Sequence, residues 1–510
     1  MGLFGKGVGR ICAVVACPTA KEMARQIRLA LLETPTVELR LDWLRDDRER
    51  NRLLVWLSKN RSRKATLLAT CRRTVGGGLF RGDARAELDW LCRAHEAGCA
   101  WGDLEVETLE ALRGKLSSAE RLPRILLSVH DFRRTPSKFR ALGNGTLEGS
   151  TVDAIKIATQ ARRIADSVRL LRLARKKKNC VAVPMGEIGL PARILALREG
   201  SALAYAPVSQ ATAPGQVSLS ELKHLYRAHL LSRRSQVFGV IGDPIAHSLS
   251  PLLHNTAFIA RRIDAVYLPF LVKDLRDFLK AIPELGIRGF SVTLPHKQNI
   301  LKHLNDCDAL AADIGAVNTV LVRRNGSLYG CNTDYAGVLR SLERKLHLAG
   351  SRVLILGAGG SARAAAFALA RAGAVVGICA RRESAASELA RAVDGEVIPR
   401  RALRSEYFDA VLNATPIGMY PQERVSPLQR RELHCRIVMD LIYRPERTQF
   451  LKLAASMGVA TVSGVEMFLA QGAAQWEIWM KRRAPEAAMR RAVLAALRAE
   501  SAPGRRRRSR

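Results

Sequence analysis

The sequence predicts an α/β protein in two parts, an eightfold barrel followed by a half that contains an open parallel sheet. Three observations carry this. Eight short β-rich runs, separated by polar Leu/Ala/Arg-rich stretches, fill the first half. An apolar strand, a glycine loop and an Ala-rich helix follow one another across 353–372. The 510 residues, 48% hydrophobic and 25% charged, have a globular composition and suffice for two or three cores of about 150–250 residues each.

The eight runs are Ile11–Ala16, Thr36–Leu41, Thr66–Cys71, Trp101–Val106, Arg124–Val129, Ala154–Ala158, Cys180–Pro184 and Ala202–Ala206. The segments between them, Lys21–Leu32 and Ala84–Ala97 for example, are long enough for one helix each. Eight such units predict a closed (β/α)8 TIM barrel with its active site where the strands end. Polar residues that a packed core would reject stand there. The second run ends in Glu38-Leu39-Arg40, the third in Arg72 and the fifth in His130-Asp131, while the sixth carries Lys156 between apolar neighbours. Desolvation of such a lysine favours the neutral nucleophile needed for a Schiff base with a ketone; the plainer alternative is a lysine snorkelling at a strand end. His130 reads equally as a proton shuttle or a hydrogen-bonded core histidine. With Arg40, Arg72 and Arg193 available to hold a carboxylate, the set is coherent for an imine-forming lyase.

Glu38-Leu39-Arg40, Thr70-Cys71-Arg72, Ser128-Val129-His130-Asp131-Phe132, Ile155-Lys156-Ile157-Ala158, Met185-Gly186 leading to Arg193, and Ala213-Pro214-Gly215-Gln216 resemble, in order and spacing, type I 3-dehydroquinate dehydratase across about residues 10–225. The resemblance implies that Lys156 forms the imine and His130 moves protons during loss of water. Glu38, Arg40, Arg72 and Arg193 would bind substrate, with the loop of Thr212 and Gln216 closing over it. Two residues depart from the pattern. Thr212 replaces a serine and keeps the hydroxyl. Gly76 stands where the family carries a glutamate that assists the histidine, so His130 is expected to lack a carboxylate partner and the dehydratase to be slower, with Gly76→Glu raising its rate.

Leu219–Arg233 has a helical pattern, and the charged break Ser232–Gln236 precedes the apolar run Val237–Ile241, which sets the join there. Ser248 and Ser250, one residue apart before Pro251, can grip a carboxylate or merely cap a helix. The strand Ser291–Leu294 ends in Pro295-His296-Lys297, and Gly330-Cys331-Asn332-Thr333-Asp334 follows. Lys297 and Asp334 would suit reduction of a ketone, one protonating the alkoxide and one fixing the hydroxyl; a plain salt bridge is the alternative. Val353–Leu356 runs into Gly357-Ala358-Gly359-Gly360-Ser361-Ala362 and a helix, the order that rests a pyrophosphate on a helix N-terminus. Arg381-Arg382 stand where an NAD enzyme has an acidic residue, which favours the 2′-phosphate of NADP.

Together with Asn413–Met419, Asp440–Pro445 and Gly464–Met467, these segments resemble shikimate dehydrogenase over about residues 236–490. The resemblance implies that Lys297 and Asp334 are catalytic, and that Ser248, Ser250, Thr293, Asn318, Thr333, Tyr443 and Gln471 bind shikimate or its ketone. Gly357, Ala358, Gly359, Gly360, Ser361, Ala362, Arg381 and Arg382 would hold NADP, with Thr415, Met419, Gly464 and Met467 near the nicotinamide. The expected domains are the barrel at 1–232, a substrate lobe at 233–336 completed by 465–500, a Rossmann lobe at 337–464 and a flexible basic tail at 501–510.

The whole resembles a fused enzyme of the shikimate pathway acting on 3-dehydroquinate, 3-dehydroshikimate and shikimate. The alternative is a quinate/shikimate dehydrogenase whose barrel is impaired or non-catalytic. A formal charge of +35 suits carboxylate substrates, and outside Arg505–Arg510 the arginines are spread through helical segments. No nucleic-acid-binding motif is present, so nucleic acid is not expected as the partner. The ten cysteines lack metal-ligand spacing, so no metal is expected. No run is long enough for a membrane span, and the first strand begins too early to leave room for a transit peptide, so the expected location is the cytoplasm. A homo-oligomer is compatible with all of this.

Overall fold

A computed structural model of the chain describes residues 7–112, 123–137, 139, 152–208, 215–419 and 422–501. Thr212 and the arginine tail lie outside the described residues. The chain divides into two compact units, residues 1–236 with 264–286, and residues 237–263 with 287–510.

The first unit holds β1 (Ile11–Val15), β2 (Thr36–Arg40), β3 (Thr66–Thr70), β4 (Trp101–Glu105), β5 (Arg124–Asp131), β6 (Val152–Gln160), β7 (Cys180–Met185) and β8 (Ala204–Pro207). They pair in parallel in the order β7-β6-β5-β4-β3-β2-β1-β8. A 2.8 Å bond from the Ala202 amide to the Cys180 carbonyl, just before β8 and at the start of β7, nearly closes the barrel. Strands covered on both faces read as apolar runs rather than clean alternation. Inside the barrel the two-residue period still decides position. Cys12, Leu68, Trp101, Leu126, Ala154, Val181 and Leu203 form one apolar layer. Two residues farther along the same strands stand Thr70, Asp103, Ser128 and Lys156, and two beyond those Arg72, Glu105 and His130. The polar floor of the mouth thus rests on a dry plug.

Helices Ala20–Glu33, Asp47–Lys59 and Ala84–Glu96 each start at a capping side chain, Thr19, Asp46 and Asp83, that accepts a backbone N–H. The helices after β4 and β7 are short, Val106–Ala111 and Leu190–Leu195. The helical pattern of 219–233 yields only a π turn at Glu221–Leu225 and a 3-10 turn at Ala228–Leu230. Arg227 between them is left-handed (φ 51°), which a continuous right-handed helix does not allow. The same unit includes the helix Leu275–Leu285. Its Asp277 carboxylate accepts from the Ile164 amide at 2.6 Å, at the N-terminus of the helix Ile164–Lys176, and its Glu284 pairs with Arg172 and Arg175.

In the second unit the strands Gln236–Gly242, Ile287–Val292, Thr319–Val322, Leu328–Cys331 and Asp306–Cys307 lie side by side in that order. Six parallel strands form another sheet, in the order Glu396–Val397, Val375–Cys379, Arg352–Leu356, Phe408–Asn413, Cys435–Asp440 and Ala460–Val462. This is the doubly wound order, and ligands of such sheets bind beyond the strand ends where the order reverses, here after Leu356 and Asn413. The helix Gly360–Arg371 owes its alanines to close packing: Ala362, Ala365, Ala366 and Leu369 share a core with Val353, Ile355 and Ile378. The long helix Gly464–Met480 reaches the other sheet, where Trp479 packs on Phe238 and Trp476 on Phe258. Among the described residues no helix is long and apolar enough to cross a membrane, and no cluster of His, Cys, Asp or Glu could hold a metal ion.

Candidate active sites

At the barrel mouth Lys156 is 4% exposed, and its ammonium contacts the Asp103 carboxylate, which also accepts from the Ser128 hydroxyl. The ammonium lies 5.0 Å from the centre of the Tyr205 ring. Arg72 Nε donates to Glu105 Oε1 at 2.7 Å, and Glu105 Oε2 stands 2.9 Å from Nδ1 of His130. The expectation that His130 lacks a carboxylate partner is therefore wrong: β4 brings Glu105 to it, on the strand beside β5. Burial, reinforced by the Arg72 and Lys156 charges, drives His130 well below the usual histidine range, so at pH 7 the ring is neutral. Burial raises the Glu105 carboxyl, although Arg72 pulls against it.

The arginines divide by partner. Arg40 forks onto Asp42 at 2.9 and 2.8 Å, and Arg72 is held by Glu105 with Asp103 at 3.6 Å. Among the described residues Arg193 donates only to carbonyl oxygens, of Pro184 at 2.7 Å and Gly215 at 3.3 Å, and burial lowers its pKa to about 10. No carboxylate pairs with it among the described residues. Glu38 accepts from the Thr70 hydroxyl at 2.7 Å, and Gln216 follows Gly215. Asp42, Asp103, Glu105 and Tyr205 escaped the sequence reading, and Ser128 entered it only as part of a motif. The signal for two of them was present: Asp103-Leu104-Glu105 at a strand end puts both carboxylates on one face.

In the second unit Lys297 Nζ donates to Asp334 Oδ2 at 2.6 Å, and Asn318 Nδ2 donates to Asp334 Oδ1 at 2.7 Å. Asn318 Oδ1 accepts from the Thr333 amide at 2.8 Å and from its hydroxyl at 3.1 Å. Lys297 also lies 3.5 Å from Ser361 Oγ, so the glycine loop meets the same amine. Gln471 and Met467 pack where the helix Asp334–Leu342 is narrowed by Gly337, at which a Cβ would stand 3.0 Å from Met467. Tyr443 is half-buried, hydrogen-bonded with Ser248 and the Leu249 backbone, and stacked on Phe468. Ser248 Oγ accepts from the Ser250 amide at 3.3 Å, and Thr293 abuts Gly242. Among the described residues, no hydrogen bond joins Ser250 or Thr293 to Lys297, Asp334, Asn318 or Thr333.

Beyond the doubly wound sheet, Gly357 takes φ +110°, and a Cβ at Gly359 would meet nothing within 4 Å. The positive φ makes the turn at Gly357 one that favours glycine, and the open space at Gly359 leaves the backbone there free for close approach by a ligand. Ala358, Gly360 and Ala362 complete the turn, with Gly360 opening the helix. Arg381 and Arg382, past the strand Val375–Cys379, are exposed and form no ion pair with another described residue. Thr415 is fixed by Asn413, at 3.0 Å through its amide and 2.6 Å through its hydroxyl. Met419 is exposed, and Gly464 packs onto the Ile442 backbone, 2.4 Å from the position of a Cβ.

Residues 11–232 match the family model described as type I 3-dehydroquinase, residues 240–320 the shikimate dehydrogenase substrate binding domain, and residues 464–494 the shikimate 5'-dehydrogenase C-terminal domain. The chain is 33% identical over 509 residues to the chloroplastic bifunctional 3-dehydroquinate dehydratase/shikimate dehydrogenase of Arabidopsis thaliana, covering 94% of this chain and 83% of the relative. It is 44% identical over 277 residues to the NADP(+) shikimate dehydrogenase of Moorella thermoacetica, covering 51% of this chain and 94% of that one. A solved shikimate dehydrogenase in complex with NADP+ aligns with TM-score 0.50 and 35% identity, covering 52% of this chain and 98% of that one.

Proposed function

Because the chain belongs to the bifunctional 3-dehydroquinate dehydratase/shikimate dehydrogenase family, we propose the residue roles by which it dehydrates 3-dehydroquinate in the barrel and reduces 3-dehydroshikimate with NADPH in the second unit. In the barrel the Lys156 amine adds to the substrate ketone and water leaves, giving a protonated imine. His130 takes a proton from the neighbouring carbon, and the electron pair settles toward the imine nitrogen. Return of that pair expels the β-hydroxyl, which departs as water with the proton from His130. Hydrolysis then restores the amine and frees the enone, so the net change is loss of one water. Arg193 is the best receptor for the substrate carboxylate, because, unlike Arg40 and Arg72, its charge is offset by no described carboxylate. Glu38, Arg40, Arg72, Thr212 and Gln216 complete the site in this reading.

In the second unit Lys297 protonates the alkoxide formed from the ketone, and Asp334 fixes the Lys297 ammonium and the substrate hydroxyl. Asn318 holds Asp334 in place and, with Thr333, Thr293 and Gln471, binds the ring hydroxyls. Ser248, Ser250 and Tyr443 take the carboxylate. NADPH supplies the hydride. The open turn Gly357–Gly360 with Ser361 and Ala362 receives the pyrophosphate, and Arg381 with Arg382 receives the 2′-phosphate. Thr415, Met419, Gly464 and Met467 line the nicotinamide end. The ten cysteines are free and none is exposed, which suits the reducing cytoplasm as the site of action.

The observation that carries the reading is a lysine set among acid–base groups in each unit, Lys156 buried and Lys297 half-buried. A coupled assay from dehydroquinate to shikimate, with Lys156→Ala and Lys297→Ala made separately, tests it. Each change is expected to stop one step and spare the other. Loss of both steps from either change, or of neither, refutes the assignment.

A further inference from the structure

Gly76 is free of the left-handed backbone that would bar a side chain, and a Cβ there would stand 3.5 Å from Glu105 Cγ and 3.7 Å from Glu105 Cδ. A glutamate at position 76 would therefore send its carboxyl toward the place that the Glu105 carboxyl already fills. The room next to His130 Nδ1 is occupied from β4 instead of from the loop after β3.

We propose that Glu105 is the positioning residue that orients His130 for proton transfer in this enzyme, in place of the glutamate missing at position 76, and that Arg72 holds Glu105 for that task. The proposal rests on the dehydratase reading of the barrel. A carboxylate oxygen 2.9 Å from Nδ1 puts the hydrogen on that nitrogen and leaves the Nε2 lone pair to take the substrate proton. Arg72, at 2.7 Å from the other oxygen, locks the carboxylate between guanidinium and imidazole. The charged groups around His130 are Glu105 and Asp103 on β4, Arg72 after β3, Lys156 on β6 and Arg40 at the end of β2. Three are cations that oppose an imidazolium. Of the two anions, Glu105 is the one hydrogen-bonded to the ring, so it both selects the tautomer and supports the charge acquired during turnover. Arg72 accordingly serves Glu105 rather than the substrate carboxylate.

The test uses the full chain, whose dehydrogenase activity reports independently on folding. Glu105→Gln is expected to lower the dehydration kcat about 100-fold, to change KM by less than about threefold and to shift the acid limb of the kcat profile to lower pH, since an anion beside the imidazolium is gone. Borohydride trapping of the Lys156 imine and the dehydrogenase rate should persist. Gly76→Glu in a Glu105→Ala background, which vacates the place the Glu105 carboxyl fills, should restore kcat at least about tenfold over Glu105→Ala, while Gly76→Glu alone, which crowds a second carboxylate beside Glu105, should give no gain. An unchanged kcat in Glu105→Gln, a loss of imine trapping equal to the loss of kcat, or no recovery in the double variant would each overturn the proposal. Failure of the wild type to trap at Lys156 would instead overturn the underlying dehydratase reading.

Discussion

Asp440 ends the strand Cys435–Asp440 fully buried, with no cation paired to it among the described residues. Its Oδ1 accepts from the Ile442 amide at 3.0 Å and Asn413 Nδ2 at 3.1 Å, and its Oδ2 from the Thr448 hydroxyl at 2.6 Å. Burial outweighs these three donors and raises the carboxyl from 3.8 to about 6. An acid whose folded pKa exceeds its unfolded one binds its proton more tightly when folded, so stability is lost as pH rises from the unfolded value through the folded one. The loss at neutral pH is about 2.2 units at 1.36 kcal/mol each, or about 3 kcal/mol. Asp440→Asn removes the charge and keeps an acceptor for Ile442 and Asn413. Its amide meets the Thr448 hydroxyl, which already accepts from Leu451 at 3.3 Å and must give up its own donated bond, worth about 1 kcal/mol. The variant should therefore be about 2 kcal/mol more stable at pH 7 and slightly less stable below about pH 4, with the sign changing between about pH 4 and 5. Urea titrations read by pulse proteolysis of peptides spanning 435–462, run from pH 4 to 8, measure this. A variant less stable than wild type by the same amount at every pH would refute the reasoning, because the three donors would then have compensated the buried charge in full.

Two further outcomes follow from the site geometry. Arg193→Lys should raise the KM for dehydroquinate at least about tenfold with a smaller change in kcat, since the bidentate fork is lost while the charge remains; equal KM values in initial-rate assays would move the carboxylate contact elsewhere. Arg381→Ala combined with Arg382→Ala should raise the KM for NADPH about 10- to 100-fold and leave that for NADH nearly unchanged; a parallel rise for both cofactors would place these arginines on the part the two share.

The barrel and the doubly wound sheet were legible because both are written locally. Strands covered on two faces leave apolar runs such as Ile11–Val15 and Val353–Leu356, and glycine turns mark where a helix must begin. Lys156 and His130 could be picked out because an apolar strand has no packing use for a charge or an imidazole. Asp103 and Glu105 passed unnoticed although their alternation put them on the same face, since acidic residues at a strand end also read as solvent-facing. The pattern of 219–233 misled because periodicity reports which residues are apolar, whereas one left-handed residue, Arg227, decides whether the helix continues.

What the sequence determined by itself is therefore the order of elements and the chemical kind of residue at each strand end, both properties of neighbours along the chain. Which groups face one another was decided only by tertiary structure. That Glu105 rather than a residue at 76 meets His130, and that Arg72 is committed to Glu105, depend on parallel register between strands that bring together residues 25 and 33 apart in the chain; that no described carboxylate reaches Arg193 is likewise a matter of position in space. Electrostatic pairing is set by distances of a few ångströms through space, and no local pattern encodes them.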